Sequence, residues 1–281
     1  MGEVRLSHYD TPAKFLEDAR HFLEAHEAEN NLILGVSSWF AVHPERIQQA
    51  PYFAVVEEDG RVRGAAMMTP PYRLVLTRGE AGVLERIVAD LLDRKIVLPG
   101  VNGPKTTSRA FAELWAKKKG CAHELHRALR IYQLSHVTPP RRVNGRMRLS
   151  LPTEAETMAE WAANFNNEIG EPQTKQQAAG TVEQLMKDQR LYVWDDGGVR
   201  SVAAVGGPTS HGMRISLVYT PPEFRGKGYA SALVTALSQA MLDSGKRFCY
   251  LFTDQSNPVS NQIYRRIGYV PVCDFAEYRF L

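Results

Sequence analysis

Apolar and polar residues alternate along several short segments of the chain, and each such segment predicts a β-strand with one buried face. The alternation in "YFAVVEEDGRVRGAAMMT" runs on both sides of Asp59-Gly60, a pair that favours a tight hairpin turn. The segment "LYVWDDGGVRSVAAVGG" predicts a second hairpin, which turns at Asp196-Gly197-Gly198.

Other segments have apolar residues at helical spacing. Thr11-Pro12 predicts the start of a first helix, and Thr153 to Glu156 has the capping-box spacing before a helix through Trp161 and Phe165. A helix predicted over 228–243 has one apolar face and ends at Ser244-Gly245. That face consists of Ala230, Leu233, Val234, Leu237 and Met241.

The order of these elements repeats. After its hairpin, the first half has a strand at 73–77, a helix at about 80–93, the strand "KIVLPG" (95–100) and "NGP" (102–104) before a helix through Phe111 and Trp115. The second half has the corresponding strand at 214–220, the helix at 228–243, the strand "RFCYLFT" (247–253) and "SNP" (256–258) before a helix through Tyr264. Each half ends with a glycine and a predicted pair of strands, "GCAHELHRALRIYQL" and "GYVPVCDFAEYRFL". The pattern predicts one type of α/β domain, used twice.

The segment 136–152 separates the two copies. It contains paired prolines, Asn-Gly and a predicted short strand near Arg146–Ser150, which is typical of a linker. We therefore predict domains at 1–138 and 139–281. Four arginines, at 141, 142, 146 and 148, leave open the alternative that this linker docks onto an anionic partner.

The composition limits the classes of protein to which this chain can belong. The 281 residues are 44% hydrophobic and 23% charged, which is ordinary for a globular protein, and the net charge of +3 is too small to predict nucleic-acid binding. The three cysteines form no CxxC pair, so we expect a reducing compartment. No apolar segment resembles a signal peptide or a membrane span. We expect a cytoplasmic monomer or homodimer that binds neither nucleic acid nor membrane.

The clearest candidate chemistry lies in "TPPEFRGKGYASALVTALSQAM", Thr220 to Met241. A glycine-rich turn directly before a helix exposes backbone N–H groups, which together favour an anion such as phosphate. A Walker A loop is excluded because Gly228 follows Lys227, and a dinucleotide fingerprint is excluded because position 231 is Ser. The first half lacks this loop: it has 27 positions from Thr77 to Pro104, whereas the second half has 38 from Thr220 to Pro258.

Two motifs carry a resemblance to a known family. Arg225 to Ala230 reads R-x-x-G-x-A between a strand and a helix, and a second block follows it in the predicted strand and helix. The residues of that block are Asn257, Ser260, Tyr264, Gly268 and Tyr269. Together the motifs resemble the GNAT superfamily of N-acetyltransferases, in particular a tandem-domain subgroup with a degenerate N-terminal domain. The resemblance implies an α/β fold (an α+β mixed sheet) of two tandem GNAT-like acyl-CoA N-acyltransferase domains.

The resemblance also implies acetyl-CoA as cosubstrate. Its pyrophosphate would lie on the loop, and its pantetheine arm would pair with the backbone of Ser216 to Tyr219. The residues implied in this binding are Leu217, Val218, Tyr219, Arg225, Gly226, Lys227, Gly228, Tyr229, Ala230, Ser231, Asn257 and Tyr264.

The implied reaction is direct attack of an amine on the thioester through a tetrahedral intermediate. We expect Tyr264 to protonate the leaving thiolate and the N–H groups of Val218 and Tyr219 to bind the thioester oxygen. Glu168 is our candidate base, with Glu171, Asp254, Glu223 and a water chain as alternatives. We expect the acceptor to be a primary amine of a small molecule; the alternatives are a protein or peptide amine, or a non-catalytic acyl-CoA-binding sensor or scaffold.

Two further features have simpler interpretations. Cys121, His123 and His126 lie close together in the chain but match no metal motif, so we expect no metal there. Cys249 alternates with Phe248 and Tyr250 in a predicted strand, so we expect a buried thiol and not a nucleophile.

Overall fold

The computed structural model of the protein describes residues 4–139 and 142–281. The same order of helices and strands occurs twice along the chain. The first half contains β1 (Val4–Tyr9), α1 (Pro12–Glu24), α2 (Asn31–Val42), β2 (Tyr52–Glu58), β3 (Arg61–Met68), β4 (Leu74–Leu76), α3 (Ala81–Asp93), β5 (Gly100–Pro104), α4 (Lys105–Lys119) and β6 (His123–Leu134). The second half contains β7 (Arg146–Leu149), α5 (Ala155–Glu168), α6 (Lys175–Lys187), β8 (Leu191–Asp195), β9 (Val199–Pro208), β10 (Gly212–Tyr219), α7 (Tyr229–Asp243), β11 (Phe248–Asp254), α8 (Pro258–Ile267) and β12 (Val270–Phe280).

All twelve strands join in one mixed sheet, in the order β1-β2-β3-β4-β5-β12-β6-β11-β10-β9-β8-β7. The last strand of each half lies beside the other half: β12 pairs with β5, and β6 pairs with β11. The two exchanged strands also pair with each other, antiparallel, from Val270–Gln133 to Phe280–His123. The two copies are therefore interleaved and share the centre of one sheet.

Helices cover both faces of the sheet and divide the core into four clusters. In the first half, α3 and α4 cover one face, while α1 and α2 cover the other. In the second half, α7 and α8 cover one face, while α5 and α6 cover the other. Phe275 of β12 is 2% exposed and lies in the cluster of α1 and α2, so a residue of the second half completes a core of the first.

Helix α2 is held directly against strand β9 of the other half. A Cβ added at Gly207 would lie 2.1 Å from the carbonyl oxygen of Gly35, so only glycine permits this approach of the two backbones. Near the same junction, the carboxylate of Glu27 accepts hydrogen bonds from the Thr209 hydroxyl and the His211 N–H. These contacts hold α2 of the first half in a fixed position against β9 of the second half.

The fold class and the tandem arrangement predicted from sequence are confirmed. The hairpin turns are confirmed too, with positive φ angles at Asp59, Gly60, Gly197 and Gly198. The predicted boundary between 138 and 139 stays a prediction, and the interleaved strands mean that it divides the chain and not the sheet.

The prediction of a strand at 95–100 is wrong. Lys95 has a φ of 56°, the chain leaves α3 in a turn, and the strand is Gly100–Pro104 instead. Two glycines and a proline disfavour a strand locally, but pairing with β4 on one side and β12 on the other imposes it. At Gly100 an added Cβ would lie 2.1 Å from the Tyr278 carbonyl oxygen, so a side chain there would obstruct that pairing.

Each half ends in one long strand, and not in the predicted pair of strands, because the neighbours of that strand come from the other half. The capping box predicted at Thr153 to Glu156 is also wrong: α5 begins at Ala155, and the Glu154 carboxylate accepts from the Leu151 N–H at 2.8 Å. Helices α2 and α6 were not predicted.

The predicted strand in the linker is confirmed as β7. Arg148 pairs with Glu154 at 2.5 Å and with Asp195 at 2.8 Å, which ties the linker to the second half. Arg142 and Arg146 are exposed, while Arg141 lies outside the described residues. Docking of an anionic partner on this segment stays a prediction.

Within the described residues, none of the helices has the length and apolar character needed to cross a membrane.

The interleaving predicts that damage to β12 destabilises both halves. Replacing Phe275 by Ala should lower the free energy of unfolding by about 3–5 kcal/mol, because a fully packed aromatic ring leaves a cavity between β12 and the first-half helices. Urea unfolding followed by tryptophan fluorescence measures this change.

Val272→Ala on the same strand is the matched control, because Val272 is 41% exposed, and it should change stability by less than about 0.5 kcal/mol. Equal stability of the two variants would contradict a shared core.

Candidate functional site

Strands β10 and β11 part in the middle of the second half. Their parallel pairing runs only from Gly212–Phe248 to Arg214–Tyr250, although β10 continues to Tyr219 and β11 to Asp254. The register of β10 against β9 shifts between Met213 and Ile215 and again between Ser216 and Tyr219, and Leu217 has a φ of 50°. This bulge turns the backbone of β10 toward the gap between the strands.

The gap opens into a cavity of about 1690 Å³. Every residue that the sequence analysis assigns to donor binding, together with Glu168, lines this one cavity. The fold therefore brings the strand, the glycine-rich loop and helix α8 around a single space, while the roles of these residues stay predictions.

The glycine-rich loop ends at the N-terminus of α7. Gly226 and Gly228 have φ angles of 77° and 87°, a conformation in which a side chain is strained. Gly228 caps α7 with no side-chain hydrogen bond, so no side chain occupies the N-terminal N–H groups from the cap position. The turn thus presents backbone donors to the cavity, as an anion site requires.

Two cations flank these donors. Arg225 donates from Nε to the Thr220 carbonyl at 2.9 Å and contacts Glu168 through Nη2 at 2.6 Å. Lys227 Nζ lies 5.7 Å from the centre of the Phe224 ring. The corresponding connection in the first half, 77–80 between β4 and α3, is shorter than 220–228 and carries one cation, Arg78, which pairs with Glu29.

Helix α8 provides the remaining side chains of the second motif. Asn257 caps this helix, accepting from the Ser260 N–H at 3.0 Å, and Pro258 occupies its first turn. The ring of Tyr264 is 8% exposed and lies edge-on to Tyr269 with centroids 5.9 Å apart. Burial raises the pKa of Tyr264 to about 12, so the phenol keeps its proton at neutral pH.

The candidate bases have different surroundings. Glu168, at the end of α5, is half exposed and paired with Arg225. Glu171 contacts Arg73 at 2.7 Å and His126 at 2.6 Å, so it ties the loop after α5 to the first half. Burial opposes ionisation of Glu171, but these partners outweigh it and lower its pKa.

Asp254 ends β11 beside the gap, and its Oδ1 accepts from the N–H and hydroxyl of Ser256. Glu223 is exposed in a short 3-10 turn of the loop. Of the four acids, Glu168 and Asp254 line the cavity.

The far side of the cavity contains residues that the sequence analysis missed. They come from α2, α5, β6, β10 and β12: Leu32, Arg127, Leu129, Phe165, Arg214, Phe275 and Glu277. Glu277 is 5% exposed and pairs with Arg127 at 2.5 Å. The alternating pattern of β6 and β12 marks them as strands, but nothing in it shows that the two strands exchange places.

His126, Glu171 and Glu277 lie close enough together to offer ligand atoms to a cation. Their atoms already have cationic partners, however, since Arg73 and Arg279 contact Glu171 and Arg127 contacts Glu277. This cluster joins β6 and β12 to the loop after α5. Cys249 is fully buried as expected, and burial raises the pKa of its thiol to about 12.

The comparisons with known proteins agree with this geometry. Residues 155–269 match the family model described as "Acetyltransferase (GNAT) family". A search of curated proteins finds no match to this chain.

Solved structures share the fold over the whole length. A GCN5-related N-acetyltransferase from Sphaerobacter thermophilus has a TM-score of 0.64 at 17% identity, covering 98% of this chain and 95% of its own. A tandem GNAT protein from the clavulanic acid biosynthesis pathway has a TM-score of 0.60 at 14% identity, covering 98% of both chains. An acetyltransferase of the GNAT family from Colwellia psychrerythraea has a TM-score of 0.60 at 12% identity, covering 99% of this chain and all of its own.

The cap of α8 gives a test of how this side of the cavity is built. Asn257→Ala should lower the free energy of unfolding by about 1 kcal/mol, because the Ser260 N–H loses its acceptor. Thermal or urea unfolding measures this loss.

Asn257→Ser is the matched control, since serine is an equally good cap residue. If the two variants lose the same stability, the cap does not support the helix.

Proposed function

Because residues 155–269 form a domain of the GNAT acetyltransferase family, we propose that this protein transfers the acetyl group of acetyl-CoA to a primary amine of a small molecule. The observation that supports this most is the single cavity, in which the parted strands, the glycine-rich turn and Tyr264 meet. The second half supplies the donor site, and the interleaved first half supplies one wall of the acceptor site.

The donor would lie along the gap from α7 to the bulge in β10. Backbone N–H groups of Lys227 to Ala230, with the positive end of the helix dipole, would bind the pyrophosphate. Arg225 and Lys227 would add charge-assisted hydrogen bonds. The backbone of Leu217 to Tyr219 faces the gap and would pair with the amides of the pantetheine arm in place of a neighbouring strand.

The acceptor nitrogen would attack the thioester carbonyl from the face of the sheet covered by α2 and α5. A C–N bond forms as the carbonyl oxygen becomes an oxyanion, which the N–H groups of Val218 and Tyr219 would stabilise. When the intermediate collapses, the C–S bond breaks and Tyr264 would give its proton to the CoA sulfur. The high pKa of Tyr264 keeps that proton available.

Glu168 would accept a proton from the ammonium group of the acceptor, so that the neutral amine can attack. In the structure Glu168 is paired with Arg225, which is also a proposed ligand of the pyrophosphate. A bound donor would therefore compete for Arg225 and free Glu168, so that the base becomes available once the donor is in place. Asp254, at the other edge of the gap, is the alternative base.

The loop gives the first test. Arg225→Ala/Gly228→Asp should weaken acetyl-CoA binding at least about 100-fold, because it removes a cation and places a carboxylate against the pyrophosphate. Isothermal titration calorimetry with acetyl-CoA measures the affinity.

Gly60→Ala is the control for backbone strain, since Gly60 also has a positive φ, 70°, but lies in the first hairpin. It should bind acetyl-CoA like the wild type. Unchanged binding by the loop variant would remove the donor site from this loop.

Tyr264 gives the second test. Tyr264→Phe should lower kcat about 100-fold or more with little change in the acetyl-CoA dissociation constant, because the ring still packs while the acid is lost. Release of the CoA thiol in the presence of a panel of amines measures turnover.

Tyr9→Phe is the matched control, because the Tyr9 hydroxyl donates to Asp18 at 2.6 Å away from the cavity, so this variant also loses one phenol but keeps the proposed acid. A Tyr264→Phe enzyme with wild-type kcat would show that another group protonates the sulfur. Donor binding without turnover of any amine by the wild type would favour the non-catalytic sensor.

A further inference from the structure

Arg214 lies where strands β10 and β11 part, as the last residue of β10 paired with β11. The next residue, Ile215, packs in the cluster of α7 and α8. Because side chains alternate along a strand, Arg214 projects from the opposite face, on the side of α2 and α5. It lines the cavity there, across the sheet from the glycine-rich loop.

The neighbouring strand leaves room for this side chain. Gly206 of β9 lies under the guanidinium, and a Cβ added at Gly206 would come within 2.9 Å of Arg214 Nε. Any other residue at this position would push the guanidinium away. The absence of a side chain at Gly206 thus provides the space that the Arg214 guanidinium occupies.

Arg214 has no ionic partner among residues 4–139 and 142–281, and its Nη1 is enclosed without a hydrogen bond. The charged neighbour is Arg190, which is itself 4.0 Å from Asp188. Burial and repulsion by Arg190 lower the pKa of Arg214 to about 10, so the guanidinium is still charged at neutral pH. An enclosed, unpaired cation is costly unless an anion joins it.

The carboxylates around the cavity do not fill this role. Three of them are engaged by other cations: Glu168 by Arg225, Glu171 by Arg73, and Glu277 by Arg127. Asp254 lies four residues along β11 from Tyr250, the partner of Arg214, and binds Ser256. These acids are thus largely neutralised by their partners, and the unpaired charge on this face, that of Arg214, is positive.

Apolar side chains form the rest of this side of the cavity. They come from five elements, α2, α5, β6, β11 and β12: Leu32, Phe165, Leu129, Phe252 and Phe275. A ligand of this space therefore has an apolar body and one anionic group.

We propose that Arg214 binds a carboxylate carried by the amine acceptor, so that the substrate is an amino acid or related amine with an apolar side chain. The inference rests on the proposed function for its reaction. A single planar guanidinium matches one carboxylate in bidentate form. The carboxylate belongs to the acceptor and not to the acyl group, because Arg214 lies on the face away from α7, where the donor loop is.

The test uses the full-length protein and three amines with the same apolar body: phenylalanine, phenylalaninamide and 2-phenylethylamine. CoA-thiol release gives kcat and KM, and calorimetry in the presence of CoA gives amine affinity. The variants are Arg214→Gln, Arg214→Lys and the surface control Arg86→Gln, with acetyl-CoA affinity as the check that each variant is folded.

We expect the wild type to bind and acetylate phenylalanine better than phenylalaninamide and 2-phenylethylamine. Arg214→Gln should weaken phenylalanine binding about 10- to 100-fold, with no loss for 2-phenylethylamine, because only the carboxylate loses its charge-assisted bonds. Arg214→Lys should weaken phenylalanine binding less than Arg214→Gln does. Arg86→Gln should leave phenylalanine binding unchanged, since Arg86 is exposed on α3.

The proposal is overturned if phenylalanine binds and reacts no better than its amide, including the case in which neither binds. It is also overturned if Arg214→Gln selectively impairs turnover of succinyl-CoA with 2-phenylethylamine, which would place the carboxylate on the acyl group. A protein that acetylates amines without regard to a carboxylate keeps the proposed function and rejects this inference. A protein that binds phenylalanine through Arg214 but does not bind acetyl-CoA keeps this carboxylate site and rejects the proposed function.

Discussion

The antiparallel pairing of β12 with β6 holds the whole molecule together. These two strands end the two halves of the chain, and each lies next to the other half, so their hydrogen bonds join two five-stranded groups into one sheet. The packing of Phe275 among first-half helices and the Arg127–Glu277 pair both depend on this crossing. A duplicated domain could have kept its own last strand; here the exchange makes the halves mutually dependent.

The pairing of β12 with β6 also determines which residues line the cavity. Without it, the parted strands β10 and β11 would meet only helices of the second half. With it, β6 and β12 form part of the floor and α2 closes one side, held against β9 at Gly35 and Gly207. The side of the cavity at the glycine-rich loop consists of second-half residues, including both sequence motifs, while the opposite side is built from residues of both halves. This division explains why one half alone carries the recognisable motifs.

Sequence reasoning identified the glycine-rich turn and the start of α8 because their signals are local. The glycines at 226 and 228 and the cap at Asn257 each report a backbone requirement that neighbouring residues reveal. The opposite side of the cavity could not be predicted because it depends on distant pairing: "GVNGP" is a strand because it lies between β4 and β12, and Arg214 is recognised only by surroundings that leave it unpaired. Glu168 and Glu171 were candidate bases from sequence, and the structure shows each paired with an arginine, Glu168 with Arg225 and Glu171 with Arg73.

The position of β12 also bears on how the chain is made. Until β12 has been synthesised, β5 has one unpaired edge, since its other neighbour is β4, and β6 has no partner strand within the first half. Exposed strand edges are templates for aggregation. The glycines and proline of β5 and the charges of β6, among them Arg127 and Arg130, make those edges poor templates. The same residues that obscure β5 in the sequence therefore disfavour pairing of its open edge with another chain before β12 is in place.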